Sequence, residues 1–171
     1  FQVTCTPMLS SISQKNKYLS DFKYPEYVLN ILRKLNSAGH ESFLVGGCIR
    51  DILMNKTPKD WDICTSATPE QIQAVHPDSF YENDFGTVGI KVTHETTTEI
   101  VEVTPFRKEG SYTDGRRPDT ISFGTSIDED LERRDFTMNA IAYNPVSDIV
   151  MDPFNGQKDI KDKIIRAVGD A

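Results

Sequence analysis

The chain has 171 residues, 37% of them hydrophobic, and a formal net charge of −7. That is apolar material for one ordinary core, so a single domain is expected; no apolar run approaches the roughly 18 residues of a membrane span, and the first residues lack the charged-then-apolar layout of a signal peptide. The acidic balance excludes attraction of the whole domain to nucleic acid, though not a local basic site, and three cysteines without paired spacing exclude a disulfide framework and fit a reducing, cytoplasmic compartment.

Residues 1–18 show no clear period, so 1–24 is expected as a tail or arm and 25–171 as the domain. With Phe1 in place of Met and ordered-looking sequence up to the last residues, the chain is expected to be a piece of a longer protein. Val28, Ile31, Leu32 and Leu35 fall at i, i+3, i+4 and i+7, with Pro25 suited to a first turn and Gly39 to a C-terminal stop. This spacing predicts an amphipathic helix. Residues 42–45 read as a short strand ending at Gly46-Gly47, and 48–54 as a helix that carries Ile49, Ile52 and Leu53 inward. A polar turn, Lys56-Thr57-Pro58-Lys59, then leads into a strand over 60–64.

Thr68-Pro69-Glu70-Gln71 has the spacing of a capping box and opens another short helix. Val88, Ile90 and Val92 alternate with Thr87, Gly89 and Lys91, and residues 98–104 follow a polar turn at His94-Glu95-Thr96-Thr97, which predicts a β-hairpin. Residues 107–125 are rich in Gly, Asp, Arg and Pro and have no period. They are expected to form a long, flexible loop of the kind that usually carries function. Ser126-Ile127-Asp128-Glu129 is a second capping box, predicting a helix through Arg134 that continues or restarts over 136–143. A short strand at 149–151 and a helical or extended piece at 160–165 complete the pattern.

The chemistry concentrates at Asp60-Trp61-Asp62-Ile63-Cys64. Side chains two apart on a strand point the same way, with Cα atoms roughly 6.6 Å apart, so Asp60 and Asp62 would share the face opposite Trp61 and Ile63. Two carboxylates that close repel unless Mg²⁺, a proton or arginines stand beside them. Taken alone, such a triplet is more often a solvated strand edge. The Gly46-Gly47 turn before a helix, with Arg50 in that helix, turns the reading toward a metal-bound polyphosphate. Val101 and Val103 face one way on the hairpin, which puts Glu102 on the other as a candidate third acid. By itself it reads as an exposed strand glutamate. Arg133 and Arg134 close a helix, where cations are favoured for dipole reasons alone, or they clamp a triphosphate and ribose hydroxyls together with Arg116 and Arg117. His40, His76 and His94 lack ligand spacing and receive no role, and Cys48 and Cys64 read as small buried residues.

Several ordered blocks carry a resemblance. Phe43-Leu44-Val45-Gly46-Gly47-Cys48-Ile49-Arg50-Asp51 followed by Pro58-Lys59-Asp60-Trp61-Asp62-Ile63-Cys64-Thr65 resembles the first signature of the class II tRNA nucleotidyltransferases (CCA-adding enzymes) and bacterial poly(A) polymerases. Glu102-Val103-Thr104-Pro105-Phe106-Arg107, Asp114-Gly115-Arg116-Arg117-Pro118, Arg133-Arg134-Asp135-Phe136-Thr137-Met138-Asn139-Ala140 and Asp152-Pro153-Phe154-Asn155-Gly156 extend it. The resemblance implies an α/β, polymerase-β-like nucleotidyltransferase head with a mixed or antiparallel sheet and flanking helices. It implies that Asp60, Asp62 and Glu102 hold two Mg²⁺ ions, and that Gly46, Gly47 and Arg50 contact the triphosphate. Arg133, Arg134, Asp135 and Asn139 would bind the nucleotide, Asp135 at the ribose 2′-hydroxyl. Residues 107–118, with Arg107, Asp114, Arg116 and Arg117, would be the flexible loop that assists the switch from C to A addition.

The implied reaction is addition of CMP and AMP, from CTP and ATP, to the 3′ end of tRNA with release of pyrophosphate. Poly(A) tailing, partial CC or A addition, and a module that binds Mg-nucleotide without turnover stay open as alternatives. A metal-independent RNA-binding module is disfavoured by the net charge. The base-reading motif of the family lies in the neck, just beyond a Val-Gly-Asp stretch like Val168-Gly169-Asp170, so neck, body and tail are expected to be absent from this chain. No membrane partner is expected.

Overall fold

The chain is described by a computed structural model over residues 15–82, 84–108, 122–123 and 126–169. Its strands are β1 (Ser42–Val45), β2 (Asp62–Thr65), β3 (Ser79–Tyr81), β4 (Val88–His94), β5 (Thr97–Pro105), β6 (Arg107–Lys108), β7 (Ser122–Phe123), β8 (Ala142–Asn144) and β9 (Ile149–Met151). Seven of them form one mixed sheet in the order β3-β4-β5-β2-β1-β8-β9, and β6 pairs with β7 in a separate ribbon. Within the large sheet β2 and β5 run parallel, and the other neighbours are antiparallel. The helices are α1 (Lys17–Asp21), α2 (Glu26–Ser37), α3 (Gly47–Leu53), α4 (Pro69–Val75), α5 (Ile127–Glu132) and α6 (Gly156–Asp162).

Strand alternation sorts the core into two layers. On one face Leu44, Ile63, Val88, Ile90, Val101 and Val103 meet Leu32 and Leu35 of α2, Ile49 and Ile52 of α3, and Ile72 of α4. On the other, Phe43, Val45, Cys64 and Phe106 pack with Ile127 and Leu131 of α5, Ala142 and Met151. The stripe read in the sequence, Val28, Ile31, Leu32 and Leu35, is the buried face of α2, and Gly39 follows its end at φ 87°. Thr68 and Gln71 cap α4 reciprocally, as their spacing predicts. Cys48 and Cys64 are buried free thiols.

Four expectations need correction. The segment expected as a tail is built into the domain from Asn16 onward: Asn16 caps α1, Leu19 is fully buried, and the Phe22 and Tyr24 rings lie 6.2 and 6.0 Å from Trp61. A five-residue helix is too short to show a period, which hid it. The strand expected over 60–64 starts at Asp62, leaving Asp60 in the bend before it. Helix does not resume over 136–143; a single 3₁₀ turn, Thr137–Asn139, leads into β8, whose Ala142 and Tyr143 pair with Val45 and Leu44. Sheet pairing there overrides local propensity. The last helix begins at Gly156, ahead of the expected start, and stops where Lys163 takes the left-handed conformation.

Candidate active site

The acids come together because β2 and β5 are parallel neighbours in register. Asp62 pairs with Glu102, both on the face opposite Ile63, Val101 and Val103, and Gly89 of β4 lies across from Glu102. Asp62 is exposed by area, yet the protein crowds its carboxyl. Partial burial raises its pKa, Arg134 opposes, and the charges of Asp60 and Glu82 add to the rise. The Glu102 pKa is likewise raised, by burial first and then by Glu82, Asp62 and Asp60. These effects place Asp60, Asp62 and Glu102 within electrostatic reach of one another. They also reveal a fourth acid. Glu82 follows β3, and its N–H donates to the Thr87 carbonyl at 2.9 Å, one step beyond the Tyr81–Val88 pair. No signal for it was readable, because the three-residue β3 is too short to show alternation.

A turn roofed by guanidinium groups lies on the β1 side of the acids. Gly46, at φ 77° and ψ −133°, precedes α3, and a Cβ there would be strained by φ and stand 3.4 Å from Arg134 Nη1. A Cβ on Gly47 would stand 3.4 Å from Arg50 Nη2. Arg50 donates to Asn139 Oδ1 at 3.1 Å and to Asp51 Oδ1 at 3.1 and 2.9 Å, which fixes its head group.

Asp130 organises the second group of cations. Its fully buried carboxylate accepts from Arg133 at 3.3 and 3.0 Å, from Arg134 Nη2 at 3.0 Å and from the Arg107 N–H at 3.1 Å. Arg134 Nε and Arg107 Nε are buried and donate to no partner among the described residues. Arg107, expected within a flexible loop, stands on β6. Its guanidinium donates to Thr87 Oγ1 at 3.1 Å and lies 5.7 Å from the Phe85 ring centroid. Burial and then the neighbouring Arg133 charge lower its pKa, against the pull of Asp130. Asp135 is exposed beside the pair, and Asp114, Arg116 and Arg117 lie outside the described residues.

The chain matches the family described as Poly A polymerase head domain over residues 42–166. It belongs to the poly(A) polymerase head-domain family. Among curated proteins, a CCA-adding enzyme of Listeria monocytogenes is 48% identical over 143 residues, covering 84% of this chain and 35% of that protein. A CCA-adding enzyme of Geobacillus thermodenitrificans is 46% identical over 147 residues, covering 85% and 35%. The crystal structure of the Bacillus stearothermophilus CCA-adding enzyme in complex with CTP superposes with a TM-score of 0.72 at 37% identity, over 86% of this chain and 34% of that one. The chain thus spans about 35% of the length of the curated relatives it matches.

Within this head domain the sequence pointed to the acids, the glycine turn and the arginines. It missed Glu82 and Asp130. For Asp130 a signal existed, since it precedes Arg133 and Arg134 by three and four residues in the helix expected to run through Arg134. Among the described residues no three His, Cys, Asp or Glu side chains are assembled as a metal cage.

Proposed function

We propose that this chain is the catalytic head of an RNA nucleotidyltransferase that adds CMP and AMP, from CTP and ATP, to the 3′ end of tRNA. The observation that carries the proposal is the direct pairing of Asp62 with Glu102 beside a glycine turn roofed by Arg50 and Arg134. An RNA 3′-hydroxyl attacks the α-phosphorus of the nucleotide. A new O–P bond forms, the hydroxyl proton passes to solvent, the bond to the bridging oxygen breaks, and pyrophosphate leaves.

The donor set fits Mg²⁺. The carboxylates are hard oxygen ligands that resist ionising together, and Mg²⁺ needs only one or two of them beside phosphate oxygens and water, so a complete protein cage is not required. Asp60, Asp62 and Glu102 would hold two such ions, which supply activation of the hydroxyl and neutralisation of charge on the reacting phosphates. The protein's own contribution is placement. Gly46 and Gly47 let phosphate approach the backbone, Arg50 and Arg134 meet the charge that passes to pyrophosphate, and Asp135 and Asn139 orient the ribose. Arg133 is held by Asp130 beside the same nucleotide. Neck, body and tail domains of a longer protein would read the base and hold the tRNA, and the reaction would proceed in the cytoplasm.

In the complete protein, Asp60→Ala or Asp62→Ala is expected to abolish incorporation of labelled CTP and ATP onto tRNA lacking its terminal CCA, with tRNA retention on filters preserved. Incorporation that survives both substitutions would remove the acid pair from the chemistry. A product of many consecutive A residues would favour poly(A) tailing.

A further inference from the structure

The nucleotide groups and the acids occupy only part of one sheet face, and the strip beyond them is exposed among the described residues. The Gly46-Gly47 turn, Arg50 and Arg134 lie on the β1 side of the β2–β5 pair, whereas β4 and β3 lie on the other side. An in-line displacement sends pyrophosphate toward the arginines and brings the attacking hydroxyl from the opposite direction, across β5 toward β4. There the register sets out three successive cross-strand pairs on the acid-bearing face: Gly89 with Glu102, Lys91 with Ile100, and Thr93 with Thr98. Rows on one face recur about every 6.8 Å, close to the phosphate spacing of an extended single strand.

The strip is built rather than merely bare. The Phe80 ring lies against Gly89 so closely that a Cβ there would stand 2.6 Å from its Cζ. The Lys91 ammonium sits 5.3 Å from the Phe80 centroid, which gives a long side chain a fixed position on a sheet face. Ile100 is 50% exposed opposite Lys91, and the Thr93 and Thr98 hydroxyls meet at 3.3 Å in the next row. Lys91 is the diagonal neighbour of Glu102, a separation of about 7–8 Å in such a ladder. We propose that Lys91, braced by Phe80 on Gly89, together with Ile100, Thr93 and Thr98, forms the track that receives the single-stranded 3′ end of the RNA and aims its terminal hydroxyl at the acids. Lys91 contacts a backbone phosphate, Ile100 offers apolar surface to a base, and the threonines offer hydroxyls to sugar or phosphate. This track rests on the nucleotidyltransferase reading above.

Kinetics of CMP incorporation by the complete protein test it. Lys91→Gln is expected to raise KM for tRNA several-fold and leave KM for CTP unchanged, with the salt dependence of tRNA binding shallower by about 0.7 in log–log slope, the value for one single-strand phosphate contact. Phe80→Ala should reproduce the KM effect more weakly. Thr98→Cys carrying a photoreactive group should crosslink to the last nucleotides of the tRNA. An unchanged KM and salt slope for Lys91→Gln would overturn the track. So would an introduced thiol at position 98 that resists alkylation in RNA-free protein, because another part of the chain would then cover the strip. A wild-type protein that incorporates no nucleotide would instead overturn the reading on which the track rests.

Discussion

Asp62 and Glu102 ionise against their surroundings, and that opposition links the site to stability. A raised carboxyl pKa means that the folded state binds the proton more tightly than the unfolded chain does. Ionisation therefore costs stability as pH climbs from the ordinary carboxylate value through the folded one, and the cost is absent below both. Asp62→Asn is expected to raise the thermal midpoint at neutral pH, with the gain vanishing at about pH 3, below the usual carboxylate range. A divalent cation should reverse the order by stabilising the wild type alone. Thermal melts across pH, with and without Mg²⁺, read both effects, and a variant less stable than wild type at neutral pH would make Asp62 a structural partner instead. Asp130 is a fully buried carboxylate that receives two guanidinium groups, so Arg133 and Arg134 are not the solvated helix end that their position alone allowed.

At the scale of elements, legibility followed length and period. The twelve-residue α2 was readable because its apolar stripe runs through Val28, Ile31, Leu32 and Leu35, and the β4–β5 hairpin because alternation persists from Val88 to Val92. The Asp62–Glu102 pairing needed one further step, that β5 lies beside β2, which no local pattern states. α1 and β3 were unreadable for the complementary reason: five and three residues cannot display a period, and only tertiary burial shows what they do. Leu19 makes the point testable. It is fully buried among the α-helical layer and the aromatic cluster of Phe22, Tyr24 and Trp61. Leu19→Ala should cost about 2–4 kcal/mol by the usual transfer-plus-cavity penalty, measured by denaturant unfolding. A tail residue would cost nothing measurable, so an unchanged midpoint would return this segment to the status of an arm.

At the scale of the whole molecule, the division of labour follows from which parts of a nucleotide the described groups can reach. On the proposed reading, the Gly46-Gly47 turn, Arg50, Arg134 and the Asp130-held Arg133 would address phosphate and sugar, which all four ribonucleoside triphosphates share. Base discrimination requires side chains that hydrogen-bond a base edge, and a site built that way rejects an analogue lacking the right partner strongly. The chain spans about 35% of the length of its curated relatives, and on the proposed reading the groups that would read the base belong to the remainder of a longer protein. The isolated domain is accordingly expected to bind CTP, ATP, GTP and UTP with similar, weak affinity in the presence of Mg²⁺. Binding should be lost on chelation or with Asp62→Ala, because the phosphates and the carboxylates then repel without an intervening cation. Calorimetric titration of each nucleotide measures this directly. A clear preference for CTP and ATP over GTP and UTP in this chain alone would place base recognition within the head, and the assignment of selectivity to other domains would fail.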